Sequence, residues 1–154
     1  MTLYGQLLER QKEQDSIRVG VIGAGQMGRG MVAQISTIPG MIVTGISDLN
    51  IDAANAAKDA FNSSSEEKVE ILTTTDFKEV INNENVDVIV EATGVPEVGA
   101  KVCLECLLAH KNIVLLNVEI DITIGSLMHK LFKSAGLVSV SYTHLRAHET
   151  RHDL

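Results

Sequence analysis

Gly23, Gly25 and Gly28 stand in a G-x-G-x-x-G spacing, and Asp48 follows 20 residues after the last of them. Each glycine answers a separate steric need. Gly23 allows a tight strand-to-helix turn, Gly25 lets a diphosphate approach the backbone, and Gly28 lets the helix pack closely. The N–H groups of the first helical turn, around Gln26 and Met27, then point at the phosphates, and the helix dipole adds positive potential there. Asp48 stands where a carboxylate accepts hydrogen bonds from adenosine ribose hydroxyls. Such chemistry holds a dinucleotide through backbone geometry.

The spacing alone is weak, and its context strengthens it. Residues 17–22 form an apolar, β-branched run before the turn, a helical pattern follows it, and Asp48 closes a second apolar run. The charge of Asp48 repels a 2′-phosphate and so favours NAD over NADP. NADP stays open if Arg29 swings toward such a phosphate. Asp48 also suits a helix N-cap, and the two roles are compatible.

Further candidates lie at the ends of later strands. Thr93 and Gly94, in Glu91–Pro96, close the fourth strand. Ligands sit outside the carboxyl ends of strands, which places both residues over the cofactor ribose and nicotinamide. A plain turn before Pro96 explains them equally well. Asn117 follows the fifth strand and suits the nicotinamide side or the substrate. Glu119 and Asp121 are acid–base candidates. Helix capping is the better reading for Asp121, and Glu119 stays open. Cys103 and Cys106 have the C-x-x-C spacing but fall mid-helix, where nothing depresses a thiol pKa, so they read as small buried hydrophobes. His110 and His129 are isolated and read as surface positions.

The elements that position these residues alternate. Helical patterns cover residues 3–14, 26–37, 52–61, 77–82, 96–110 and 122–134; strand patterns cover 17–22, 41–47, 70–73, 86–92 and 112–116. Residues 62–67 read as a polar loop. Asp76 caps the fourth helix with Glu79 in the capping-box place. Alternation of this kind means βαβ units and a parallel sheet. The expected fold is α/β, a Rossmann-type doubly wound parallel sheet, without internal repeats or a domain linker. Residues 1–16 form an N-terminal helix and 17–139 the NAD(P)-binding domain.

Composition narrows the partners. With 154 residues the chain fits one domain. Hydrophobic residues make up 45% and aromatics only 3%, so the core is built from Val, Ile, Leu, Ala and Met. A net charge of −7 repels nucleic acid and anionic membranes. No apolar run reaches the roughly 20 residues that span a bilayer, and residues 1–16 lack the apolar stretch of a secretion signal. Two cysteines make no disulfide framework. The expected setting is the cytoplasm.

Residues 140–154 change character. Three of the five histidines fall there and apolar periodicity stops. The string looks like one reading frame of a transposase-type sequencing adapter, so these residues are expected to be non-native, with the natural chain continuing differently after about Ser139. His144, His148 and His152 have the spacing of a metal-binding helix face, but an exposed frayed tail is the better reading.

Taken together, IRVGVIGAGQMG at 17–28, GISD at 45–48, VEATGVPEVGA at 90–100, NVEID at 117–121 and the leading helix with Leu8 and Arg10 resemble a known family. It is the homoserine-dehydrogenase-like NAD(P)-dependent oxidoreductases, above all the branch with a C-terminal SAF domain, which includes enzymes like 1-deoxy-D-xylulose 5-phosphate reductoisomerase. The likeness covers residues 3–138. It implies a dinucleotide and a small-molecule substrate as partners, hydride transfer as the reaction, and a later substrate domain that also offers a homo-oligomer interface. Homoserine dehydrogenases proper carry Ala-Asn-Lys after the fifth strand, with the lysine catalytic. Here the place reads Leu116-Asn117-Val118. The missing lysine speaks against that activity and leaves the substrate open. Two rival functions remain: a nucleotide-sensing module without turnover, and a methyltransferase using S-adenosylmethionine.

Overall fold

The structure is a computed structural model that describes residues 2–141. Six parallel strands form one sheet: β1 Ile17–Ile22, β2 Met41–Ser47, β3 Leu72–Thr74, β4 Val88–Glu91, β5 Asn112–Leu115 and β6 Ser139–Ser141. Their order across the sheet is β3-β2-β1-β4-β5-β6. The chain starts in the middle, winds outward through β2 and β3, then returns to the other side of β1. The reversal between β1 and β4 opens a crevice at the carboxyl ends of the strands, where a doubly wound sheet takes its ligand.

Helices α2 Gln26–Ile35 and α3 Ile51–Ser64 cover one face, and α4 Phe77–Ile81 and α5 Pro96–Leu108 the other. After β5 the chain enters α6 Val118–Ile120, a π-helical stretch Asp121–Gly125 and α7 Ser126–Ser134. The core divides accordingly. Val19, Val21, Val43 and Ile46 meet Val32 and Ile35 of α2 and Ala54, Ala57 and Phe61 of α3. Ile22, Ile89, Ile113 and Leu115 meet Val80 and Ile81 of α4, Val102, Cys103 and Cys106 of α5, and Phe132 of α7. Continuous apolar strands follow from burial on both faces. Helix α1, Leu3–Lys12, has no buried residue. It rests on the turn at Gly40, where a Cβ would lie 2.1 Å from the Leu7 carbonyl oxygen.

Several boundaries differ from the sequence reading for local reasons. The region expected as loop from residue 62 stays helical to Ser64, the Ser65 N–H still donating to the Phe61 carbonyl at 2.8 Å, while the Ser63 and Ser64 hydroxyls donate to the Asp59 and Ala60 carbonyls at 2.7 and 3.0 Å. Asp76 does cap α4, accepting from Lys78 N–H at 2.9 Å. Its own N–H donates to Thr74 Oγ1 at 3.1 Å, so Glu79 has no reciprocal bond to make. Asp121 is not an N-cap: it is the C-cap of α6 and begins the π stretch, and Asn117 is the N-cap of α6. Finally, β6 pairs Val140 with Val114 and Ser141 with Leu115, so the sheet runs two residues past the break placed after Ser139. The histidines at 144, 148 and 152 lie outside the described residues. Among the described residues, no helix is long and apolar enough to cross a membrane, and no group of three or more His, Cys, Asp or Glu could hold a metal ion.

Candidate functional site

The glycine turn closes around three contacts. Gly23 has φ +97° and lies against the start of the loop after β4; a Cβ there would meet the Ala92 carbonyl at 2.7 Å. Gly28 sits directly under the turn, where a Cβ would come within 1.7 Å of the Gly23 oxygen. Gly28 therefore brings α2 onto the turn itself, a closer approach than packing on the sheet requires. Around Gly25 nothing lies within 4 Å of an added Cβ. Gly25 is also the N-cap of α2 and supplies no side-chain cap. The first-turn N–H groups of α2 thus lie beside open space, as an anion cradle requires.

Asp48 reaches this turn. Its Oδ2 accepts from Ala24 N–H at 2.6 Å, and its Oδ1 accepts from Asn50 N–H at 2.8 Å. Asn50, and not Asp48, caps α3. One carboxylate thus fastens the end of β2 to the glycine turn and keeps lone pairs for further donors, since an ionised carboxylate has about four acceptor sites.

A cleft of about 310 Å³ lies between these loops, lined by Gly23, Gly25, Asp48, Leu49, Phe77 and Thr93, with Ile22, Ser47, Thr75, Ala92, Val95 and Val98 completing the wall. It brings together four of the residues expected from sequence: Gly23, Gly25, Asp48 and Thr93. Gln26 and Met27 line a separate depression with Gly30 and Met31. Gly28 lies beneath. Gly94, with φ +69° and open space around it, is on the turn beside the cleft. Asn117 and Glu119 stand apart at the end of β5. Leu49, Thr75 and Phe77 were not expected; the apolar Phe77 one residue after a helix cap, at the carboxyl end of β3, was the available signal. A larger depression of about 680 Å³, lined by Gln11, Asp15, Arg18, Glu67 and Lys68 among others, lies at the amino ends of the strands. That is the wrong end of a doubly wound sheet for the ligand.

Two polar side chains behind the cleft are buried. Glu91 is 0% exposed. Its Oε1 accepts from Thr93 N–H at 2.9 Å and from the Thr93 hydroxyl. Burial holds its carboxyl above the ordinary range, against the pull of those two bonds. Asn117 is 6% exposed; its Oδ1 accepts from Glu119 and Ile120 N–H at 3.1 and 3.4 Å. Glu91 Oε2 and Asn117 Nδ2 are buried without a partner. Glu119 is exposed in the first turn of α6, where its charge complements the helix dipole. Cys103 and Cys106 are free and buried, and burial pushes both thiols up, Cys103 to about 12. They are packing groups, as their mid-helix place implied. His110 is exposed at a left-handed position after α5.

A strand-order reversal, an uncapped glycine turn and a carboxylate at the end of β2 together define a Rossmann-type NAD(P)-binding domain. Residues 17–117, well over half the chain, match the family described as dihydrodipicolinate reductase, N-terminus, and the chain belongs to that family. Among curated proteins, it is 33% identical over 81 residues to glycosyl hydrolase family 109 protein 2 of Shewanella sp. (strain ANA-3), a match covering 51% of this chain and 18% of that protein. Among solved structures, a probable dehydrogenase from Thermotoga maritima has TM-score 0.69 at 21% identity, with 84% of this chain and 37% of that one covered. Myo-inositol dehydrogenase from Lactobacillus casei, in complex with NAD(H) and myo-inositol, gives 0.65 at 22%, covering 82% and 36%. A homoserine dehydrogenase from Thiobacillus denitrificans gives 0.64 at 19%, covering 82% and 29%. The chain therefore spans less than two-fifths of the length of each of these proteins. Homoserine dehydrogenase is one structural neighbour among several kinds of dehydrogenase, so the narrower resemblance is not singled out.

Proposed function

We propose that this chain is the cofactor-holding part of an oxidoreductase that moves a hydride between a nicotinamide dinucleotide and a small polar metabolite. The open space at Gly25, beside the uncapped first turn of α2 and across from Asp48, carries this reading. The residues fit the group: N–H donors for the diphosphate, a carboxylate for a ribose, and an apolar wall of Leu49, Phe77 and Val95 for a flat base. When bound, the nicotinamide supplies the hydride donor or acceptor. The chain orients it through Gly23, Gly25, Gln26, Met27, Gly28, Asp48, Thr93, Gly94 and Asn117. Asp48 favours NAD over NADP. Catalytic groups for the substrate are proposed to lie in a separate domain, with Glu119 the candidate among the described residues. This chain alone is expected to bind cofactor without turnover.

The homoserine-dehydrogenase-like branch with a SAF domain is a narrower proposal, resting on GISD, VEATGVPEVGA and NVEID alone. So is a cytoplasmic setting, and so is the division into residues 1–16, 17–139 and a non-native 140–154, which sequencing the gene across these codons tests.

Isothermal calorimetry with NADH, NADPH and S-adenosylmethionine tests the function. Binding in the order NADH, NADPH, with no S-adenosylmethionine, is expected. Tight S-adenosylmethionine binding without NADH overturns the oxidoreductase reading in favour of a methyltransferase. NADH binding by an intact parent that shows no turnover would instead favour a nucleotide sensor.

A further inference from the structure

Glu91 has no surface from which to touch a ligand, yet it holds a residue that has one. Its side chain turns toward α5, where a Cβ on Gly99 would lie 3.2 Å from Glu91 Cδ and Oε2. A leucine would fill that space without the cost of burying a carboxyl group with one oxygen unpaired. What a leucine cannot do is accept two hydrogen bonds from Thr93, one from the backbone N–H and one from the hydroxyl. The Thr93 hydroxyl in turn accepts from Val95 N–H at 3.3 Å. Its proton is committed inward and one lone pair is committed along the turn. Both Thr93 and Val95 line the cleft.

We propose that Glu91 is a positioning residue for the cofactor, fixing the Thr93–Val95 wall of the cleft from behind and setting the direction of the Thr93 hydroxyl. The proposal rests on the dinucleotide reading above. With its proton turned inward, Thr93 Oγ1 meets a ligand only as an acceptor. This wall therefore takes a hydroxyl or amine donor of the cofactor, and the phosphates are left to the N–H groups of α2. The neutral carboxyl that burial favours is nearly isosteric with an amide, so Glu91→Gln keeps the same acceptor in place.

NADH affinity of the whole chain, measured by calorimetry, tests this in a double-mutant cycle. Thr93→Val and Glu91→Leu are each expected to weaken binding about tenfold, the worth of one lost hydrogen bond. The double variant is expected to be no weaker than Glu91→Leu, because the residues act in series. Thr93→Ser and Glu91→Gln are expected to stay within about threefold of the unaltered chain, a rescue that a lost-packing effect would not show. If Glu91→Leu does not fold, Glu91→Asp takes its place, drawing the carboxyl back by one methylene. Additive losses, or Thr93→Val binding as tightly as the unaltered chain, overturn the role of Glu91 while leaving the dinucleotide reading intact. An unaltered chain that binds no NADH overturns both.

Discussion

Gly25→Ala and Gly28→Ala add the same methyl group three residues apart, and the structure separates their effects. At Gly25 the backbone is extended, with φ −66° and ψ −165°, and an added Cβ meets nothing within 4 Å. Alanine is a poorer N-cap than glycine by up to about 1 kcal/mol, and it stiffens the unfolded chain by about 0.4–1 kcal/mol in the opposite sense. The two nearly offset, so the melting temperature should move by less than about 3 °C. At Gly28 the new carbon falls 1.7 Å from the Gly23 oxygen, a backbone atom that no rotamer change relieves. Helix propensity returns about 1 kcal/mol, but α2 must lift off the turn. We expect a net loss of about 2–3 kcal/mol, in the range of overpacked sites, and thus a fall of about 6–9 °C. Cofactor binding should reverse the contrast with stability. The Gly25 methyl fills the space a diphosphate needs and pushes it off its N–H partners. Losing one charge-assisted hydrogen bond is worth about 1.5–3 kcal/mol, or about ten- to hundredfold in Kd. Scanning calorimetry of each variant, with NADH titrations alongside, reads both quantities. A Gly25→Ala chain that binds NADH within threefold of the unaltered one, or melts as low as Gly28→Ala, refutes the reasoning.

Asp48→Asn removes the charge that repels a 2′-phosphate but keeps an oxygen for Ala24 N–H. The preference for NADH over NADPH should shrink about tenfold, the scale of one charge interaction in a half-screened site; an unchanged ratio of Kd values argues against Asp48 as the selector. Asp87 meets Arg18 in a two-pronged contact, with Oδ1 2.6 Å from Nη2 and Oδ2 3.0 Å from Nε. The guanidinium holds the Asp87 carboxyl below its ordinary value of 3.8. A lowered acid contributes stability that is present above that value and lost as pH falls through the lowered one. Both partners are partly exposed, so Asp87→Asn should cost up to about 1 kcal/mol at pH 7 and nothing in strong acid; thermal melts across pH show whether the gap closes. Cys103 and Cys106 should resist iodoacetamide in the folded protein at pH 8 and react fully in denaturant, and mass spectrometry counts the adducts.

What could be read from the sequence was what local chemistry encodes. The run 17–22 is apolar because β1 is buried on both faces, and the three glycines follow it at a spacing only a turn of this shape needs. Met41–Ser47 and Asp48 follow the same logic. The identity of the cleft's other wall was not legible, because Leu49, in the loop after β2, and Phe77, at the start of α4, meet there only through packing. The burial of Glu91 has no local signal in the sequence, because it depends on α5 lying over it at Gly99. Asn117 looked free to serve a ligand, yet half of it is spent starting α6. Asp121 missed its expected cap because the chain turns helical earlier, at Val118, and passes through it without a break.

The order of the strands also sets the order of assembly. β1 finds β2 across a single helix, but its partner on the other flank arrives much later, with Val19 facing Val88. As the polypeptide leaves the ribosome, the first three strands can pair while one flank of β1 stays bare, its main-chain groups framed by Val19 and Val21. An unpaired apolar edge of this sort recruits other chains, and distant pairing is slow to relieve it. The vulnerable species is thus the half-synthesised sheet, open to association until residue 91 emerges and the breach is closed.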